Sequence, residues 1–149
     1  MFRRRHDEDA RYFFVHLQKT AGTSLYIALR HQFGDDAVYP TPEYEGVDWS
    51  NTNVELLRDV FEREGDRIRV VVGHFPLCTV DLLGVPFTTL TVLRDPYPRT
   101  VSFLRHRRET MPQHAHAGLN ELYADPRMLH GLIHNHMTKM LGMTADQMT

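Results

Sequence analysis

Apolar residues recur along the chain in two rhythms. Tyr12–Leu17 (YFFVHL), Ile68–Val72 (IRVVV) and Phe87–Leu93 (FTTLTVL) are short runs with few interruptions. Each predicts a strand, the first of them buried. Between them the spacing becomes helical. Leu25, Ala28, Leu29 and Phe33 share one face over Ser24–Phe33, and Gly34 follows. Val54, Leu57 and Phe61 do the same over Val54–Glu64, before Gly65. Both segments predict amphipathic helices with glycine stops. Thr79–Leu83 predicts a single helical turn. Pro98–Arg108 predicts a third helix with proline in its first turn. Asn120–Leu141 predicts one or two more around Pro126. Asp35–Asn53, with Pro40, Pro42 and Gly46, predicts a turn-rich surface excursion.

Strands alternating with helices predict a parallel sheet covered by helices. Ligands bind such folds at the carboxyl ends of the strands. Three connections leave those ends: Gln18–Ser24, Gly73–Thr79 and Arg94–Pro98. All three carry unusual polar residues.

Composition narrows the classes. The chain has 149 residues, 42% hydrophobic, enough for one domain with a core. Its formal net charge of −2 gives no general attraction to nucleic acid or to a membrane surface. A single cysteine, Cys78, excludes an internal disulfide framework and suits a reducing compartment, so a cytoplasmic location is expected. No apolar run approaches the roughly 18 residues of a membrane span. Residues 1–10 are polar, lack a signal-peptide apolar segment, and read as a disordered tail.

The first connection carries the clearest chemistry. A strand, a glycine-containing loop and a helix start form an anion site, because the first helical N–H groups have no internal partner and the helix dipole favours negative charge. Thr20, Thr23 and Ser24 add hydroxyl donors, Gly22 permits close backbone approach, and Lys19 adds a mobile cation. A phosphate or sulfate is the natural occupant. The order differs from the nucleotide triphosphatase loop GxxxxGK[ST], since Lys19 precedes the glycine. The third strand ends Val92-Leu93-Arg94-Asp95, unlike a magnesium-binding strand. Both features disfavour a magnesium-ATP enzyme.

The order Gln18-Lys19-Thr20-Ala21-Gly22-Thr23-Ser24 resembles the 5′-phosphosulfate loop of sulfotransferases. More narrowly, His16–Thr23 (HLQKTAGT) is similar to the H-x-Q-K-T-x-G-T of the heparan sulfate 6-O-sulfotransferases and their relatives. A second match is Arg94-Asp95-Pro96, with Arg99 a few residues on and Ser102 eight residues after Arg94. A strand-end arginine and a serine on the next helix can converge on one phosphate, to which arginine offers a forked donor. A third is Asn135–Leu141 (NHMTKML), similar to N-x-x-T-R-x-L with Lys139 in place of arginine.

The resemblance implies a P-loop-like three-layer α/β fold with a central parallel sheet flanked by helices. It implies one domain over residues 1–149, with the C-terminal part of the family domain missing. It implies 3′-phosphoadenosine 5′-phosphosulfate as donor, a carbohydrate-type hydroxyl as acceptor, and no metal. Gln18, Lys19, Thr20, Ala21, Gly22, Thr23 and Ser24 would hold the 5′ side, and Arg94 and Ser102 the 3′-phosphate. Lys19 and His74 are the candidate catalytic residues: Lys19 stabilises the leaving phosphate and His74 takes the acceptor proton. Asp81 is a candidate orienter of His74. His16 and His74 are candidate acceptor-binding residues.

Other classes stay open. Lys19 can be an ordinary loop lysine, Arg94 can pair with Asp95 or Glu109, and His74 can be a packed core histidine. The arginines of Arg99–Arg108, with Arg105 and Arg107 among them, can form a solvated face or attract an anionic glycan. A non-catalytic nucleotide-binding remnant of the fold keeps the loop without turnover, and a P-loop kinase is a further alternative. Ten histidines, with His130 and His134 one helical turn apart and the pairs His114/His116 and His134/His136, raise a metal-binding class.

Overall fold

A computed structural model describes residues 10–47 and 50–147. The expected tail lies outside the described residues but for residue 10. Four parallel strands form one sheet: β1 (Tyr12–Val15), β2 (Val38–Tyr39), β3 (Val70–Gly73) and β4 (Thr88–Thr91), in the order β2-β3-β1-β4. Tyr12 aligns with Val70 on one side and with Thr88 on the other. The chain is thus an α/β protein with helices on a parallel sheet.

Alternation along the strands divides the core in two. Phe13 and Val15 of β1, Tyr39 of β2 and Val71 of β3 face one side. There they meet Leu57, Val60 and Phe61 of α2 (Val54–Glu64), Leu83 of α3 (Thr79–Leu83) and Met140 of α7 (His136–Gly142). Phe14, Val38, Val70 and Val72 face the other side, against Leu25, Tyr26, Leu29 and Phe33 of α1 (Gly22–Phe33). The expected face of α1 shifts by one position: Ala28 is exposed, and Tyr26 turns inward to donate its hydroxyl to the Pro40 carbonyl at 3.1 Å.

The expected surface excursion is corrected in part. Val38 and Tyr39 are fully buried and form the edge strand β2, and Thr41 and Ser50 are buried beside them. The Tyr39 hydroxyl donates to the Ser50 carbonyl at 2.8 Å, closing the segment onto the core. Two residues are too few for a periodic signal, so this strand is set by pairing with β3.

The C-terminal third packs as a small helical layer. It comprises α4 (Pro96–Thr110), α5 (Leu119–Ala124), the single turn α6 (Pro126–Met128), a π-turn over Leu129–Ile133, and α7. Phe103 and Leu104 of α4 and Leu122 of α5 form its centre. Helix α4 starts two residues before the expected Pro98, because the Asp95 carboxylate accepts the Tyr97 amide at 3.0 Å and caps it. The backbone amide of Leu77 donates to Met140 at 2.8 Å, which ties α7 to the connection after β3. No helix among the described residues is long and apolar enough to cross a membrane.

Candidate functional site

Because all four strands are parallel, the connections after β1, β3 and β4 emerge at the same sheet end. There they line a cavity of about 500 Å³. Its walls include His16, Gln18, Lys19, Ala21, Gly22 and Thr23 from the first connection, His74 from the second, and Arg94 and Ser102 from the third. Thr20 and Ser24 do not line it.

The loop after β1 has an unusual backbone. Lys19 and Ala21 both sit at φ 67°, the left-handed region, although neither is glycine. Such conformations cost about 1 kcal/mol or more each and concentrate at functional sites. The hydroxyl of buried Thr20, between them, donates to the Leu17 carbonyl at 2.8 Å. That hydroxyl therefore holds the loop instead of facing a ligand, which corrects its expected role as a donor. Ala21 precedes α1 with no side-chain cap and no acidic residue in the first turn. The first amides of α1 are left to an outside acceptor. Ser24 is exposed outside the cavity wall, so only its backbone belongs to this helix start.

Gly22 also has a reason beyond the one expected. A Cβ there would lie 1.9 Å from Cδ2 of the His16 ring. The glycine makes room for a side chain of the same protein, which keeps His16 over the loop. His16 stacks on Phe14 with ring centroids 5.5 Å apart and 15° between planes. Burial, and secondarily the neighbouring His74, push its pKa down to about 4.

His74 lies at the end of β3, its ring centroid 4.6 Å from that of His16. Its Nδ1 is 2.5 Å from the His16 carbonyl oxygen. A carbonyl only accepts, so Nδ1 carries the proton and donates it. The neutral ring then keeps its Nε2 lone pair free. Burial lowers the His74 pKa, against a raising effect of that hydrogen bond. Asp81, expected to orient His74, instead is exposed on α3 and lines a different cavity. The His16 backbone does the orienting.

Arg94 donates through Nη1 to the Lys19 carbonyl at 3.1 Å, joining the third connection to the first. Asp95, a candidate partner of Arg94, is engaged in capping α4. Among the described residues no carboxylate forms an ion pair with Lys19 or Arg94. The Gln18 side-chain oxygen is buried in the wall without a hydrogen-bond partner.

Two wall residues were not singled out from the sequence, Phe103 and His106, and Arg107 was read only as one of an arginine cluster. His106 is one turn beyond Ser102, and Arg107 one turn beyond Phe103, so helical periodicity from Ser102 carries the signal. The arginine cluster expected to form a solvated face divides accordingly. Arg107 stacks on Phe103 at 5.3 Å and faces the cavity. Arg99 is only 1% exposed, and its Nη2 donates to the Leu132 carbonyl at 3.1 Å, at the π-turn.

The third matched segment stays outside the wall. Asn135 opens α7 at φ 53°, Thr138 is exposed, and Lys139 donates to the His130 carbonyl at 2.6 Å. The segment's buried polar member is His136, whose pKa burial pushes down to about 4, with Arg99 the next cause. The His130 and His134 rings lie 6.4 Å apart. Among the described residues no three His, Cys, Asp or Glu side chains are grouped to hold a metal ion.

The cavity can thus present helix amides and three cations, Lys19, Arg94 and Arg107, to an anion, beside a neutral histidine with a free Nε2. No family model, curated protein or solved structure matches this chain.

Proposed function

We propose that this chain is a sulfotransferase with a P-loop-like fold, moving a sulfuryl group from 3′-phosphoadenosine 5′-phosphosulfate to a carbohydrate-type hydroxyl. One observation carries the reading: His16, Gln18, Lys19 and Gly22 of the first sequence match and Arg94 and Ser102 of the second share one cavity wall with His74. In this reading the cavity holds two anion subsites and a base on one wall.

The amides at the start of α1 and the Lys19 ammonium hold the 5′-phosphosulfate. Arg94 and Ser102 hold the 3′-phosphate, which separates this donor from ATP. His74 Nε2 accepts the proton of the acceptor hydroxyl as its oxygen bonds to sulfur. The bond from sulfur to the bridging phosphate oxygen breaks in line. Lys19 stabilises the charge that appears on the departing phosphate. Positioning and charge stabilisation carry most of the rate, as in phosphoryl transfer.

A thermal shift with adenosine 3′,5′-bisphosphate, beside ATP and ADP, tests the donor site. At about 100 times its dissociation constant a ligand adds roughly 2.7 kcal/mol of stability. Stabilisation by the bisphosphate above the other two supports the reading. Equal responses, or none to the bisphosphate, count against it. A bound bisphosphate with no sulfuryl transfer to any hydroxylated acceptor would favour a non-catalytic binder.

A further inference from the structure

A second cavity, of about 530 Å³, adjoins the first. Lys19, Arg94, Ser102 and His106 line both and form the wall between them. Both volumes fall in the range of small-molecule sites. The outer cavity runs along α4, where Tyr97 and Val101 follow at one-turn spacing beside Pro98.

Tyr97 is the feature without a structural purpose. At 78% it is the most exposed large hydrophobic side chain among the described residues. It makes no ring contact there, whereas Tyr26 and Tyr39 both pack and donate hydrogen bonds. Its backbone is held, because its amide is the one that Asp95 caps. An aromatic ring fixed at its base, exposed at its face and placed beside a phosphate-binding arginine is a stacking platform. Arg105 and Glu109 farther along oppose one another in charge. Cationic character therefore concentrates at the Lys19–Arg94 end, which orients an occupant with its phosphates there and its apolar part towards Tyr97.

We infer that the outer cavity is a nucleobase subsite and that Tyr97 is its stacking platform. The inference rests on the donor reading above and adds what that reading leaves open, the place of the adenine. It also leaves to the acceptor the part of the inner cavity around His74 and Gln18, next to the 5′-phosphosulfate at the start of α1.

The test is calorimetric titration of the full chain and of its Tyr97→Ala and Tyr97→Phe variants. The ligands are adenosine 3′,5′-bisphosphate and the same bisphosphate without its base, as a methyl ribofuranoside. Tyr97→Ala is expected to weaken the nucleotide roughly 5- to 100-fold, the usual worth of one stacked base. The base-free ligand is expected to bind both proteins alike. Tyr97→Phe is expected to retain affinity within about twofold, since its ring keeps the π-face. Equal losses for both ligands, or no loss for the nucleotide, overturn the Tyr97 assignment while leaving the donor reading in place. Failure of the unmodified protein to bind the nucleotide overturns both. Circular dichroism of the variants checks folding, which an exposed side chain should not disturb.

Discussion

The carbonyl oxygen of His16 accepts the Nδ1 proton of His74, across 58 positions of sequence. One hydrogen bond thereby decides the tautomer of the candidate base and points its free nitrogen away from the backbone. Replacing His74 by Asn is expected to lower sulfuryl transfer by about 10²- to 10⁴-fold, the range for a lost general base. Bisphosphate affinity is expected to stay unchanged, because the base touches the acceptor. Because the folded pKa of His74 is lowered, the rate should be level through neutral pH and fall only on the acid side of the ordinary value of 6.5. A rate profile with its midpoint above neutrality would contradict the assignment.

The same pair depends on Gly22. An added methyl group there must displace the His16 ring, 1.9 Å away. Gly22→Ala is expected to cost about 1–3 kcal/mol, the usual penalty of overpacking. Combined with His16→Ala, most of that cost should disappear, since the obstructed ring is gone. Urea denaturation of the four proteins measures the coupling. Additive costs would mean that the glycine serves another neighbour.

Arg94 joins two roles, holding the Lys19 carbonyl and presenting a guanidinium to the cavity. Arg94→Ala is expected to weaken adenosine 3′,5′-bisphosphate about 10- to 100-fold, as for a lost charged hydrogen bond. AMP, without the 3′-phosphate, should lose much less. Arg94→Lys should fall between, because an ammonium lacks the fork. Equal losses for both nucleotides in a binding assay would remove Arg94 from the 3′-phosphate.

Lys19→Ala is expected to reduce transfer below detection without unfolding the protein, because its side chain lines the cavity instead of filling the core. The chain's cooperative unfolding transition, followed by circular dichroism, should survive. Near-normal turnover would remove the lysine from the mechanism.

Buried His136 makes stability depend on pH. Its pKa is pushed down to about 4 from 6.5, so the unfolded chain binds this proton more readily. Stability is then complete above 6.5, falls as pH drops towards 4, and levels off below. Arg99, His74 and Lys139 all act in the same direction. The full effect is about 3 kcal/mol. His136→Gln should flatten the curve of denaturation midpoint against pH over this interval. A curve of unchanged slope would place the acid sensitivity elsewhere, in His16 first.

Much of the framework was legible in local pattern. The runs around Phe13, Val71 and Leu90 each yielded a strand, though each strand is shorter than its run. The helices of Leu29 and Leu57 follow their apolar spacing, and the glycine loop between β1 and α1 announces an uncapped helix start. Edge strand β2 was not legible, because Val38 and Tyr39 become a strand only by pairing with Val70 and Val71. Nor was the burial of Arg99, whose partner carbonyl is 33 residues away. A row of arginines on a polar helix carries no sign of which one turns inward.

The sequence by itself determined which connections meet at one sheet end, because parallel strands must return by helical crossovers and so send every βα connection the same way. Only the tertiary structure decided what each residue does there. Thr20 spends its hydroxyl on the Leu17 carbonyl, Gly22 yields space to His16, and Asp95 caps a helix and leaves Arg94 unpaired with it. Those roles rest on hydrogen-bond direction and on contacts of a few ångströms, which a pattern of polar and apolar residues does not encode even where the partners lie within six positions of each other.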